Sequence, residues 1–333
     1  MKILVTGGAG YVGSHTVREL LDAGHHVTVL DTLEKGHLRA CRGAEFVMGD
    51  TADRELVGAI LEQRSIECVM HFAAYIEVGE SMVAPERYFA NNTAATARLV
   101  QTCMAKKVRR FIFSSTCAVY GTPDRLPLVE DMPKRPESAY GHSKWQTEEM
   151  LGWVSRQTDF RYVALRYFNA CGAHHSGLLG EAHSPESHLI PLVLQVAQGT
   201  RPNIRIFGTD YPTKDGTCIR DYIHVSDLAR AHVAAARYLA NGGPSAAFNV
   251  GTGNGYSVRE IIETCRRITG HAIPAVEEAR RPGDPAELYA NPAKIRADLD
   301  WKPVESDLDT IIRSAWNWHS NNPNGYVRAD RGA

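Results

Sequence analysis

The chain has almost no charge bias: 37 lysines and arginines stand against 38 aspartates and glutamates, for a net charge of −1 over 333 residues. That balance argues against the basic footprint of a nucleic-acid binder and the polybasic surface of a membrane-attached protein. No apolar run approaches the ~20 residues that a membrane-spanning helix needs. The seven cysteines, Cys41, Cys68, Cys103, Cys117, Cys171, Cys218 and Cys265, are scattered, and none stands in a CxxC. An odd, scattered set fits neither a disulfide framework nor a zinc ribbon, and suits reduced thiols in the cytoplasm. A strand pattern begins at Lys2, which leaves no room for a signal peptide. Internal repeats and low-complexity tracts are also missing. What remains is an ordinary globular composition, long enough for a large core and two domains.

Residues 2–6 form a short β-rich apolar run, as expected of a strand buried on both faces. Gly7-Gly8-Ala9-Gly10-Tyr11-Val12-Gly13 follows at once and opens a helix pattern, with Val12, Thr16, Val17, Leu20 and Leu21 on one side and Gly24 as its stop. Glycines in a strand-to-helix turn let the backbone approach a pyrophosphate, which then rests on the positive helix end. The spacing of Gly7, Gly10 and Gly13 departs from GxGxxG, yet strand, turn and helix come in the right order. The second strand, residues 26–30, ends at Asp31. A carboxylate there accepts from an adenosine ribose and repels a 2′-phosphate, which selects NAD over NADP. Residues 46–50 read as a third strand whose Asp50 flanks the adenine; residues 68–74 and 111–116 read as a fourth and fifth. Helical patterns such as 93–106 lie between them, so the sheet is parallel and doubly wound, with ligands outside the carboxyl ends of its strands. Gly7, Asp31, Ala73, Thr116 and Tyr140 all fall at or after such ends.

Tyr140-Gly141-His142-Ser143-Lys144 carries the chemistry. Four residues apart on a helix, Tyr140 and Lys144 project from one face. A free phenol titrates near ~10, and an ammonium beside it favours the phenolate. The pair is therefore a device for taking a proton from a hydroxyl. Ser114-Ser115-Thr116 stands between it and the glycine turn.

After residues 161–169 the strand and helix alternation loosens. Residues 172–187 form a long Gly/His/Ser/Pro loop, and long loops are often functional. His174, His175, His183 and His188 lack metal-ligand spacing, so no metal is expected. Residues 221–225 and 248–251 read as late strands returning to the sheet. Arg220, Arg280 and Arg281 offer forks that suit phosphates. The division expected is a cofactor domain over residues 1–170, with returning segments near 218–251, and a smaller discontinuous mixed α/β domain over 171–333.

The glycine turn, Thr116, Tyr140-x-x-x-Lys144, Tyr167-Phe168-Asn169, Asp215-Gly216-Thr217, Arg220 to Val225 and Arg280-Arg281-Pro282-Gly283-Asp284 together resemble the extended short-chain dehydrogenases/reductases that act on nucleotide sugars, almost end to end. The resemblance implies a Rossmann-like doubly wound parallel sheet with tightly held NAD and a UDP-sugar substrate epimerised at C4. It makes Tyr140 the base, Lys144 the residue that holds the nicotinamide ribose, and Thr116 the partner of the substrate 4-hydroxyl. Tyr11, Val12, Asp31, Asp50, Thr51, Phe72 and Ala73 would line the cofactor, with Asn91, Ser114 and Phe168. Asn169, Leu189, Phe207, Arg220, Tyr222, Arg281 and Asp284 would hold the UDP-sugar, the arginines on its diphosphate. His188 stands where relatives carry a substrate-contacting asparagine, Ile76 where some carry a cofactor-contacting lysine, and Leu288 where some carry tyrosine and others a small residue beside the sugar. These departures leave the sugar open: UDP-glucose and UDP-galactose, a pentose pair, or N-acetylhexosamines. Relatives that eliminate water or decarboxylate carry acid-base residues just after the Ser/Thr; Cys117 and Ala118 follow here, which favours simple epimerisation. The rival from another class is a catalytically silent NAD-binding regulator, which would have lost the catalytic pair. The resemblance further implies a homodimer through residues 89–106 and 143–157, with Leu99, Cys103, Met104, Trp145, Met150 and Leu151 as the apolar surplus.

Overall fold

A computed structural model describes residues 1–281 and 283–326. Pro282 of the arginine motif and residues 327–333 of the second domain lie outside the described residues.

Thirteen strands occur among the described residues: β1 Lys2–Thr6, β2 His26–Asp31, β3 Glu45–Met48, β4 Cys68–His71, β5 Arg110–Thr116, β6 Arg161–Tyr167, β7 Asn169–Cys171, β8 Ile204–Phe207, β9 Ile219–His224, β10 Ala246–Val250, β11 Gly255–Ser257, β12 Ala275–Glu278 and β13 Glu287–Leu288. Seven make one parallel sheet in the order β10-β6-β5-β4-β1-β2-β3. Alternation along each strand feeds two cores. Ile3, Val5, Val29 and Met70 face Val17 and Leu20 of the helix Tyr11–Asp22 and Leu228 and Ala235 of the helix Val225–Ala240. Leu4, Leu30, Val69 and Phe113 face Val57, Leu99, Cys103 and Leu151 on the opposite side. Apolar residues on both faces are why these strands read as unbroken runs in the sequence. The chain builds β2 and β3 to one side of β1 and then crosses to β4 on the other. The crevice at the carboxyl ends of β1 and β4 is thus a topological switch point.

The smaller part has its own core, where Ile190, Val193 and Leu194 meet Ile206, Ile261, Ile262 and Ile312. Its main sheet is centred on β9. β11 pairs antiparallel along one edge, and β13 and β7 share the other end to end. Of the two late strands expected to return to the large sheet, only β10 does, beside β6. Residues 221–224 lie instead in this small sheet. The reason is local: β7 follows β6 after one residue, Phe168, and takes β9 as its partner.

The apolar surplus read as a dimer signal is mostly used inside the subunit. Leu99, Cys103 and Leu151 are fully buried against the sheet, and Met104 and Met150 pack on the same cluster. Trp153, in the helix Ala139–Gln157, is 63% exposed. No helix among the described residues is long and apolar enough to cross a membrane.

Candidate active site

The glycine turn is built for close approach. Gly7 has φ +71°, and a Cβ there would lie 2.4 Å from the Ala73 nitrogen at the end of β4. A Cβ on Gly13 would lie 2.2 Å from the Gly7 carbonyl oxygen. The helix that follows has Gly10 as its N-cap, no side-chain cap and no acidic residue in its first turn. Its first N–H groups and positive end are therefore free for an anion, and the cradle fits a pyrophosphate. Asp31 closes the adjoining edge, where its carboxylate accepts from the backbone N–H of Ala9 at 3.0 Å and of Leu33 at 2.9 Å. Gly49 donates to the Asp31 carbonyl, which brings Asp50 and the buried Thr51 beside it. Phe72 and Ala73 both donate to the Thr6 carbonyl, at 2.8 and 3.2 Å. Together these residues form one wall of the crevice, and NAD fits it as the sequence implies.

Opposite stands the helix Ala139–Gln157. Its N-cap Ser138 accepts from the Gly141 N–H at 3.0 Å, which sets Tyr140 in the first turn. Thr116 ends β5; its hydroxyl oxygen accepts from the Ala118 N–H at 3.1 Å. The two helix-bearing segments are forced close, since a Cβ on Gly141 would lie 2.7 Å from the Ala118 carbonyl oxygen. Lys144 is buried and donates to the Ser114 carbonyl at 3.0 Å. Burial raises the Tyr140 phenol, with Tyr167 adding to the rise, while the Thr116 hydrogen bond lowers it. Burial also pushes the Lys144 ammonium down to about 7. Within the protein itself Thr116 is the neighbour that favours the phenolate, and Lys144 is held against β5.

Several contributors escape a reading by motif. Asn91 and Asn92 lie in a π-helical turn, Phe89–Ala94. Asn91 donates to its neighbour, and it is Asn92 that reaches the backbone of Tyr75 and the hydroxyl of Ser143 on the catalytic helix. Beneath Lys144, Glu148 is clamped by Arg166 of β6 through contacts of 2.6 to 3.1 Å, both side chains at most 5% exposed. Ser115 donates to the same carboxylate, and Arg166 also donates to Tyr120 at 2.8 Å. The available signal was a charged residue, Arg166, in an otherwise apolar strand.

The residues expected to hold the substrate gather on the small sheet and its borders. Arg220 forms an ion pair with Asp284, and Asn169 donates to the Asp221 carbonyl at 2.9 Å. Arg281 lies 4.2 Å over the Phe207 ring, whereas Arg280 pairs with Asp210 and stacks on Tyr211. Tyr222 is buried in β9, and Leu288 of β13 pairs with Arg220. Leu288 and Cys117 pack against the apolar cluster that contains Phe168. Leu189 opens the helix Leu189–Ala197, and His188 is its N-cap. Ile76 is exposed. The loop histidines divide: His174 stacks on His175, while His183 and His188 converge with Glu181 and Glu186.

Residues 3–251 match the model of the NAD dependent epimerase/dehydratase family. A UDP-glucose 4-epimerase of Halalkalibacterium halodurans is 50% identical over 326 residues, covering 98% of each chain. The UDP-glucose 4-epimerase of Brucella ovis, solved in complex with NAD, superposes with a TM-score of 0.93 at 47% identity, covering 95% of this chain and 97% of its own. That of Bifidobacterium longum, solved with NAD⁺ and UDP, has a TM-score of 0.93 at 39% identity, covering 98% of this chain and all of its own.

Proposed function

The chain belongs to the NAD dependent epimerase/dehydratase family, and from that premise we propose that it interconverts UDP-glucose and UDP-galactose by inversion at C4. The observation that carries the reading is the meeting of Thr116, at the end of β5, with the first turn of the helix that bears Tyr140 and Lys144, where Gly141 allows close approach to the Ala118 carbonyl. The uncapped helix start after Gly10 takes the cofactor pyrophosphate, Asp31 its adenosine ribose and Lys144 its nicotinamide ribose. Bound NAD supplies a hydride acceptor that takes hydrogen from C4 and returns it, and a positive ring that favours the phenolate.

Tyr140 as phenolate removes the proton of the 4-hydroxyl and later gives it back. Thr116 holds that hydroxyl and the phenol in one line. The 4-keto sugar between the two steps is flat at C4 and turns over while its diphosphate stays fixed. Arg220 and Arg281 make the fixed point; Leu288 bounds a pocket that leaves the sugar room to rotate. Cys117 takes no acid-base part, since burial pushes its thiol up to about 12. That supports epimerisation over elimination of water. The silent-regulator reading predicts a broken catalytic pair and is disfavoured by the intact Tyr140, Lys144 and Thr116.

The two cores support a cofactor domain over residues 1–170 completed by returning segments near 218–251, the helix Val225–Ala240 and β10 among them, and a discontinuous UDP-sugar domain built from residues 171–333. A cytoplasmic homodimer is part of the proposal, paired through residues 89–106 and 143–157, with the exposed Trp153 at the contact. Incubation with UDP-galactose, UDP-N-acetylgalactosamine and UDP-xylose, with each 4-epimer measured, tests the reading. Fast conversion of UDP-galactose alone or foremost is expected; no conversion of any of the three would overturn it.

A further inference from the structure

We propose that Glu181, His183, Glu186 and His188 form a structural zinc site that clips the loop over the glycine turn to the start of the helix Leu189–Ala197. One ligand atom from each of the four lies within 4.8 Å of the others. Glu181 Oε1 is 3.0 Å from His183 Nδ1 and 2.8 Å from His188 Nδ1. Glu186 Oε1 is 3.1 Å from His188 Nδ1, and its Oε2 is 3.9 Å from His183 Nδ1. Zinc bonds of ~2.0–2.2 Å to nitrogen and oxygen in a tetrahedron place neighbouring ligands roughly 3.3–3.5 Å apart. Three of these separations are shorter than that and one is longer, so the side chains already surround a common point and must adjust around a zinc ion placed there.

Charge and donor type agree. Two carboxylates and two neutral imidazoles carry −2, which one divalent cation cancels. Imidazole nitrogens favour zinc over calcium and magnesium, which prefer all-oxygen shells. Four protein ligands complete the tetrahedron and leave no open position, the mark of a structural rather than a catalytic site. The site is also pre-formed. Both carboxylate side chains are at most 6% exposed, and His188, at 44%, leaves an entry path. The loop backbone is pinned by Trp318 donating to the Glu181 carbonyl at 2.9 Å and by Lys35 donating to the Ser184 carbonyl at 3.3 Å. Glu186 is oriented by the N–H groups of Ser187 and His188, at 2.7 and 2.8 Å. Spacing did not reveal the set because two of its members are carboxylates and all four come from one irregular loop.

The consequence is positional. His183 sets its ring edge-on to Tyr11 of the glycine turn at 6.0 Å, and His188 caps the substrate-side helix. One ion therefore ties the cofactor wall to the substrate wall. The test is metal analysis of the full-length protein, purified without chelator and dialysed against micromolar Zn²⁺ and then metal-free buffer. About one zinc per chain is expected, with X-ray absorption showing a nitrogen and oxygen shell at ~2.0–2.1 Å and no sulfur at ~2.3 Å. A Glu181→Gln/His183→Gln variant should lose the metal. Zinc at background with no saturable uptake, a sulfur shell, or full retention by the variant would each overturn the proposal. Absorption on the unmodified protein decides the matter even if the variant does not fold.

Discussion

Thr116, whose hydroxyl oxygen accepts the Ala118 N–H at 3.1 Å, stands beside Tyr140, and its side chain favours ionisation of the phenol. The contact joins the end of β5 to the first turn of the catalytic helix and lowers the phenol against the rise that burial imposes.

Thr116→Val should therefore act through pH. Activity needs the phenolate, so it rises with pH through the Tyr140 ionisation. Removing a contact that lowers that pKa moves the rise to higher pH. A hydrogen bond to a charged group is worth ~1.5–3 kcal/mol, about a ten- to hundredfold loss of kcat near neutrality. Thr116→Ser should restore most of it. A pH–rate profile of Thr116→Val that overlays the parent's would show that the contact is idle.

Tyr140→Phe should lower kcat by at least ~10²–10⁴-fold, the usual contribution of a general acid-base group. UDP binding by calorimetry should stay near the parent value, because the phenol serves proton transfer rather than affinity. Near-normal turnover would assign the base elsewhere.

Glu148→Gln should destabilise the protein by ~3–5 kcal/mol, since it strands the buried Arg166 charge. The Glu148→Met/Arg166→Met double variant should be closer to the parent in urea unfolding than the single one. A single variant within ~1 kcal/mol of the parent would mean the pair is not a keystone of the helix.

How much of this was legible depended on which residues report locally. Gly7, Asp31 and Tyr140 sit at strand or helix ends whose chemistry is set within a few residues, and the sequence places them correctly. The parallel sheet was legible for the same reason: strands buried on both faces read as unbroken apolar runs. Contacts between distant segments were hidden. Nothing near residue 221 says that β9 pairs with β7 rather than the large sheet; a single crossover residue, Phe168, decides it. Lys144 was expected beside the phenol because helical spacing places both on one face, but spacing cannot show that the Ser114 carbonyl competes for it. Leu99 and Leu151 suggested a partner until the sheet was seen to cover them.

We propose that Leu288, packed on the cluster that holds Phe168, sets the choice of sugar. UDP-glucose and UDP-galactose should be preferred, with N-acetylhexosamines turned over weakly. Overfilling a packed pocket costs ~1–3 kcal/mol, or about one to two orders of magnitude in kcat/KM. Leu288→Tyr should suppress the N-acetyl substrates further and spare UDP-galactose. Equal kcat/KM for both sugars in the parent, unmoved by the substitution, would show that Leu288 is no gate.

The central claim is that hydrogen leaves C4 and returns to C4 inside one site. UDP-galactose deuterated at C4 tests it directly, in a reaction with no cofactor added. The expected product is UDP-glucose that keeps its deuterium at C4, with none lost to water and NAD released on denaturing the enzyme. Loss of the label to solvent, or conversion only when NAD is supplied in excess, would contradict it.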